Sequence, residues 1–242
     1  MPHIVASRDE WLNARKALLA KEKQFTKARD QLSAARRELP WLKIDKTYVF
    51  DGADGKQSLG DLFAGRSQLI VYHFMFAPGW DAGCPHCSHW ADNFNAIIVH
   101  LNQRDVSMVA ISRAPYEKLV AYRKRMGWTF NWLSSHGNDF NRDYGVSFTP
   151  EEVTAKKAFY NFKMQDPFVG EREGVSVFLK ETDGSVFHTY STYARGIDML
   201  STDYNYLDLV PKGRDEGERG PFWVRRHDEY NSGAAGEQRT SR

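Results

Sequence analysis

Residues 68–90 read QLIVYHFMFAPGWDAGCPHCSHW, and the way this stretch divides decides the fold. Gln68 to Phe76 is a nearly unbroken apolar run between Ser67 and Pro78-Gly79, the pattern of a strand buried on both faces of a sheet. The chain's only two cysteines, Cys84 and Cys87, follow directly, with Pro85 and His86 between them. Beyond them Trp90, Phe94, Ile97, Ile98 and Leu101 recur at helical spacing up to Gln103, and Val106 to Ile111 reads as a second buried strand. The order is strand, helix, strand, with a CxxC at the first strand-to-helix corner.

Upstream, Ser7-Arg8-Asp9-Glu10 forms a capping box. Trp11, Leu18, Phe25, Leu32 and Leu39 then stand seven residues apart and Pro40 closes the pattern, which predicts one long helix. Its apolar stripe calls for a partner surface, either its own domain or the same helix of a second copy in a homodimer. A short strand at Tyr48 to Phe50, a turn over 51–55 and a short helix through Leu59, Leu62 and Phe63 are expected next. Farther along come a helix from Tyr116 to Met126, a strand at Phe130 to Ser134 and a helical turn from Asp139 to Tyr144. Residues 147–172 read as an irregular insertion or lid. Val175 to Lys180 and Ser185 to Tyr190 flank Asp183-Gly184 as a hairpin, and Ile197 to Leu209 follows as a last helix. The expected organisation is a helical arm over 1–43, an α/β domain over 44–212, and a polar tail over 213–242 whose final dozen residues are disordered. The α/β domain is a central mixed sheet flanked by helices, with an antiparallel edge. With a CxxC at its first corner it resembles the thioredoxin fold.

Composition narrows the function classes. Of the 242 residues 41% are hydrophobic and 26% charged, which is globular rather than disordered usage. The net charge of +2 and the lack of a basic stripe interleaved with aromatics argue against nucleic acid as a partner. MPHIVASRDEW has no basic region followed by an apolar run, and the run from Leu69 to Phe76 is too short to span a bilayer. A cytoplasmic protein with no membrane partner is therefore expected. In that reducing compartment a close cysteine pair cycles or binds metal more readily than it forms a structural bridge.

At the corner itself, Cys84 is placed at or just before a helix N-terminus, where free amide N–H groups and the helix dipole favour a thiolate. Pro85 suits the first helical position, having no N–H to leave unsatisfied, and a protonated His86 adds to the stabilisation of the anion. Three readings stand side by side: a redox pair, a metal clasp, or two inert thiols. For metal, Cys84, His86, Cys87 and His89 lie within six residues, but four donors on one helical turn do not surround an ion and no second ligand pair exists. Covalent haem needs CxxCH, and Ser88 holds that place. No metal and no cofactor is expected. Trp80, Asp81 and His89 flank the pair, and Arg113 follows the second strand, where it would stabilise Cys84 or bind an anionic substrate. No GxSxG, phosphate loop or nucleotide fingerprint is present.

Ser7 to Leu39, GRSQLIVYHFMFAPGW, CPHC, SRAPYEKL, RMGWTFNWLSS and RRHDEY together resemble the bacterial thioredoxin-like family called domain of unknown function eight-nine-nine, across nearly the whole chain. The stretch from Trp80 to Cys87 is similar to the thioredoxin W-x-x-x-C-x-x-C, and CPHC is the tetrapeptide of DsbA-type dithiol oxidases. That likeness implies a thiol–disulfide oxidoreductase with Cys84 as nucleophile and Cys87 as resolver, acting on a disulfide-containing protein or a small thiol or peroxide. Val106 to Ser112, Trp132-Leu133-Ser134 and Asp143 to Val146 look more like the alkyl-hydroperoxide-reductase branch, which adds a weak thiol peroxidase as an alternative. A non-catalytic binding module on the same scaffold is another. Two departures stand out. Where thioredoxins place a proline before the hairpin strand, this chain has Glu173-Gly174-Val175. Pro78 lies six residues before Cys84 and Asp81 takes the hydroxyl position of peroxiredoxins, a spacing that does not support efficient peroxide activation.

Overall fold

A computed structural model describes residues 4–230, in two compact units divided between Trp41 and Leu42. The first holds α1 (Arg8–Arg37). Its start is the expected capping box: the Ser7 hydroxyl accepts from the Glu10 amide, and the Glu10 carboxylate accepts from the Ser7 amide at 2.8 Å.

The second unit is an α/β domain. In chain order it contains β1 (Leu42–Lys43), β2 (Val49–Gly52), β3 (Gly55–Ser58), β4 (Gln68–His73), α2 (Pro85–Ala91), α3 (Phe94–Asn102), β5 (Val106–Ser112), α4 (Tyr116–Arg125), β6 (Trp132–Ser134) and α5 (Phe140–Asp143). Then follow α6 (Pro150–Thr154), β7 (Ala158–Tyr160), β8 (Lys163–Gln165), β9 (Gly174–Lys180), β10 (Val186–Tyr193) and α7 (Thr202–Leu207). Eight strands make one mixed sheet in the order β1-β10-β9-β4-β5-β6-β2-β3. β4, β5 and β6 are parallel, and β9 runs antiparallel to β4. A parallel β4-β5 pair joined by helices and extended by the β9-β10 hairpin is the thioredoxin-like core.

β4 is buried on both faces, and its alternation divides the core. Tyr72 packs with Phe94, Ala110, Trp132 and Cys87 on one side of the sheet, while Leu69 and Val71 pack with Ile111, Leu133, Phe140 and Phe178 on the other. The strand ends at His73 rather than Phe76, though Phe74 and Phe76 stay buried in the first cluster. The helix expected through Gln103 is two helices. Asp92 at the break accepts from the Trp128 indole at 2.8 Å, and Asn95 accepts from the Thr129 and Phe130 amides, so side chains at the junction serve the loop before β6. Residues 55–58 form β3, which pairs with β2 in a hairpin, and the expected short helix shrinks to a 3-10 turn at Asp61–Phe63.

The segment 147–172 is not irregular: it carries α6 and the β7-β8 hairpin. Ala158 and Tyr160 point inward with Val146, Phe148 and Tyr193 as a small core of their own, which three-residue strands do not announce in a sequence. The last helix is a 3-10 stretch, Ala194–Leu200, followed by α7. Part of the expected tail is ordered: Gly217–Arg219 and His227–Glu229 are 3-10 turns, and Val224 is buried. The final dozen residues lie outside the described ones. Among the described residues no helix is long and apolar enough to cross a membrane.

Candidate active site at the Cys84 corner

Cys84 is the N-cap residue of α2, Pro85 takes the first helical position, and Cys87 stands one turn on. The cap has no oxygen side chain and makes no side-chain capping hydrogen bond of good geometry. The corner is fastened by the Cys84 amide, which donates to the Met75 carbonyl at 3.0 Å, and by the Met75 amide, which donates to the Cys87 sulfur at 3.5 Å. Ser88 donates back to the Cys84 carbonyl at 2.9 Å. Both thiols are free; Cys84 is partly exposed and Cys87 fully buried.

The two sulfurs are held in different electrostatic states. Cys84 is drawn well below the usual thiol range, chiefly because the Cys87 thiol donates to it; burial opposes this, and the His86 ring and the Cys87 amide add to it. His86 in turn is raised, first by its bond to Cys84 and then, against burial, by the Pro221 carbonyl and the charge of Glu173. The two shifts favour the thiolate at Cys84 and the protonated ring at His86. Cys87 is pushed well above the usual range by burial, by its bond to Cys84 and by the negative charges of Cys84 and Glu173. The Tyr72 hydroxyl, buried without a hydrogen-bond partner of good geometry, faces the Cys87 sulfur.

The corner opens into a cavity of about 810 Å³ lined by Cys84, Cys87, His86, His89, Arg172 and Glu173, among others. The structure therefore brings together Cys84, Pro85, His86, Cys87 and His89. His89 is bound to Asp203 at 2.5 Å and packs against the rings of Tyr204 and Trp223. Three other expected residues lie elsewhere. Trp80 packs against the first core cluster, its carbonyl accepting from Lys118 at 3.0 Å. Asp81 lines a separate hollow with Lys118 and Arg125. Arg113 is ion-paired at 3.1 Å with Glu171, a fully buried carboxyl that burial pushes up to about 7 despite the arginine and a bond from Ser147. Among the described residues no group of three or more His, Cys, Asp or Glu side chains is arranged to hold a metal ion.

Two participants escape a reading of the motif. Glu173, just ahead of β9, lines the same cavity as the cysteines; its carboxylate accepts from the Tyr160 hydroxyl at 3.2 Å and lies 3.5 Å from Arg172, whose guanidinium covers the Tyr160 ring. Its one sequence signal is that it stands in Glu173-Gly174-Val175, where a thioredoxin carries proline. The other is Arg226 in the expected tail. It donates to the Gly83 carbonyl at 2.7 Å and to the Tyr122 hydroxyl at 2.8 Å, and that hydroxyl lies 2.8 Å from the Ser88 side chain, so the back of the corner is clamped from the C-terminal segment.

The family described as "Bacterial protein of unknown function (DUF899)" matches residues 1–230. No curated protein matches the chain. Among solved structures it is similar to the peroxidoxin BcpB of Mycobacterium tuberculosis, with 14% identity, a TM-score of 0.44, and 67% of this chain and 92% of that one covered. It is also similar to the bacterioferritin comigratory protein of Xanthomonas campestris, with 14% identity, a TM-score of 0.44, and 69% and 96% covered. A third likeness is to the mitochondrial 2-cys peroxiredoxin of Plasmodium falciparum, with 14% identity, a TM-score of 0.40, and 69% and 94% covered.

Proposed function

The chain belongs to the bacterial DUF899 family of proteins of unknown function, and we propose that its corner is the active site of a thiol–disulfide oxidoreductase. The observation that carries this reading is the asymmetry of the pair: an acidified Cys84 at the helix cap, open to a cavity, beside a buried, protonated Cys87.

That asymmetry suits two successive exchanges. The Cys84 thiolate attacks one sulfur of a disulfide, forming a mixed disulfide and expelling the other sulfur as a thiolate. Consuming the Cys84 charge removes part of what holds the proton on Cys87. Glu173, the carboxylate whose charge acts on Cys87, then takes that proton. The new thiolate attacks the Cys84 sulfur, closes a Cys84–Cys87 bond and releases the second thiolate. Two electrons pass from the protein to the substrate; the reverse sequence oxidises a dithiol. Pro85 starts the helix without an unsatisfied amide, and His86 stabilises the attacking anion.

Thiol labelling of native protein with intact-mass detection, before and after reduction, is the test. One label on reduced native protein at neutral pH, located at Cys84, and none on oxidised protein is the expected result. Cys84 that stays unlabelled while denatured protein labels at both cysteines removes the proposal.

A further inference from the structure

A second cavity in the same domain is lined by a different set of residues from the thiol corner. Its volume of about 460 Å³ falls within the span of small-molecule sites. Aromatic rings dominate its wall, among them Tyr48, Tyr144, Phe159, Phe162 and Tyr193. The charges there are already matched: Arg142 is held by two bonds to Glu152, and Asp143 accepts from Lys46 at 2.6 Å and from the Tyr48 hydroxyl at 2.7 Å. A charged ligand would have to displace one of these pairs.

Phe162 shows how the wall is made. The β7-β8 hairpin turns on Asn161 and Phe162, both at positive φ, +50° and +63°, as a type I′ turn demands. Glycine is the ordinary choice at the second of these places, and a bulky aromatic there is strained. This chain keeps a phenylalanine, 67% exposed at the cavity, its ring edge-on to Tyr193 at 5.5 Å. Phe159 of the same hairpin lines the cavity and is exposed too. Strain held at an exposed ring suits a ring kept for contact with a ligand. Two polar atoms nearby are unbonded. Tyr144 is only 8% exposed, yet its hydroxyl makes no hydrogen bond among the described residues. The His188 ring, also on the cavity wall, meets Tyr144 edge-on at 5.3 Å. Its Nε2–H donates to the Tyr190 carbonyl at 3.0 Å, beside the Ser191 hydroxyl at 2.7 Å, and burial disfavours its charged form. Its Nδ1 is therefore a lone-pair acceptor, again without a partner among the described residues. A donor and an acceptor on neighbouring rings are both answered by a hydroxyl.

We propose that this cavity binds a neutral, planar aromatic molecule bearing a hydroxyl group, its rings against Phe159 and Phe162 and its hydroxyl between Tyr144 and His188. The association is non-covalent and does not depend on the cysteines.

Equilibrium dialysis of reduced full-length protein against four probes is the test: 2-naphthol, naphthalene without the hydroxyl, decahydro-2-naphthol without the flat rings, and 2-naphthoate with a charge. 2-Naphthol should saturate one site per chain and bind about tenfold tighter than each of the others. Phe162→Gly should weaken that binding about tenfold with Tm little changed, since glycine takes this φ without strain. Tyr144→Phe should bring 2-naphthol toward the affinity of naphthalene and leave naphthalene where it was. Equal binding of decahydro-2-naphthol, tighter binding of 2-naphthoate, or no saturable binding of 2-naphthol each overturns the proposal. So does Phe162→Gly protein that binds 2-naphthol as the native chain does, because the strained ring would then serve the hairpin alone.

Discussion

Cys84 and Cys87 are three residues apart yet are shifted in opposite directions, because Cys84 accepts from the Cys87 thiol and Cys87 is fully buried. Cys84→Ser should abolish disulfide exchange, whereas Cys87→Ser should accumulate a mixed disulfide, both visible by intact mass. His86→Ala removes a charge-assisted hydrogen bond worth about 1.5 kcal/mol or more, so the pH midpoint of Cys84 alkylation should rise by about one unit. An unchanged midpoint would remove the histidine from the nucleophile's environment. Glu173→Gln keeps the shape but not the base; the first exchange should proceed and closure of the internal bridge should slow at neutral pH and recover as pH rises. Glu171 offers a stability test. Its pKa is raised by burial to about 7 from an ordinary 4.5, so the folded state favours the protonated form; the associated stability is complete below about 4.5 and is lost as pH rises through 7. Denaturation of the native protein and of Glu171→Gln across that window should show their difference shifting by about 3 kcal/mol, with the native chain losing ground as pH rises. The cap position of Cys84 was legible in the sequence, whereas the bond from the Cys87 thiol that lowers it most was not. The burial of Glu171 and the placing of Glu173 were not, because an isolated acidic residue in a loop reads as solvated.

At the scale of elements, β4, α2 and β5 follow from hydrophobic period and from Pro85, and the β9-β10 hairpin from Asp183-Gly184, where Gly184 takes φ of +87°. Boundaries were set by packing instead. The α2–α3 break serves Trp128 and the Thr129-Phe130 amides, partners more than thirty residues away that no local window includes. Likewise β7 and β8 are too short for their period to register, and they cohere through the small core around Tyr160. Gly83 shows how closely the corner is fitted. A Cβ there would lie 2.6 Å from the Phe74 ring and 3.1 Å from Tyr122. Gly83→Ala should therefore cost about 1–3 kcal/mol through overpacking, read as a fall of several degrees in Tm. A Tm equal to that of the native chain would show that the corner yields freely.

At the scale of the domain, the C-terminal segment is part of the site. Arg226 reaches across 143 residues of sequence to the Gly83 carbonyl, and Pro221 meets His86. Arg226→Ala leaves those buried acceptors unpaired, about 1–3 kcal/mol, and should lower Tm while speeding alkylation of Cys84; loss of stability with alkylation unchanged would mean that the clamp does not govern access. The sequence by itself determined the buried strand, the place of Cys84 at a helix cap, and the parallel pair with its antiparallel hairpin, since each depends on spacing within a few residues. Only the tertiary structure decided that Arg113 serves Glu171 rather than the thiols, that Glu173 lines the same cavity as Cys87, and that a polar tail closes one side of the cavity. Those contacts join residues tens to more than a hundred positions apart, and local period and propensity carry no information about which distant groups a fold will bring within hydrogen-bonding reach.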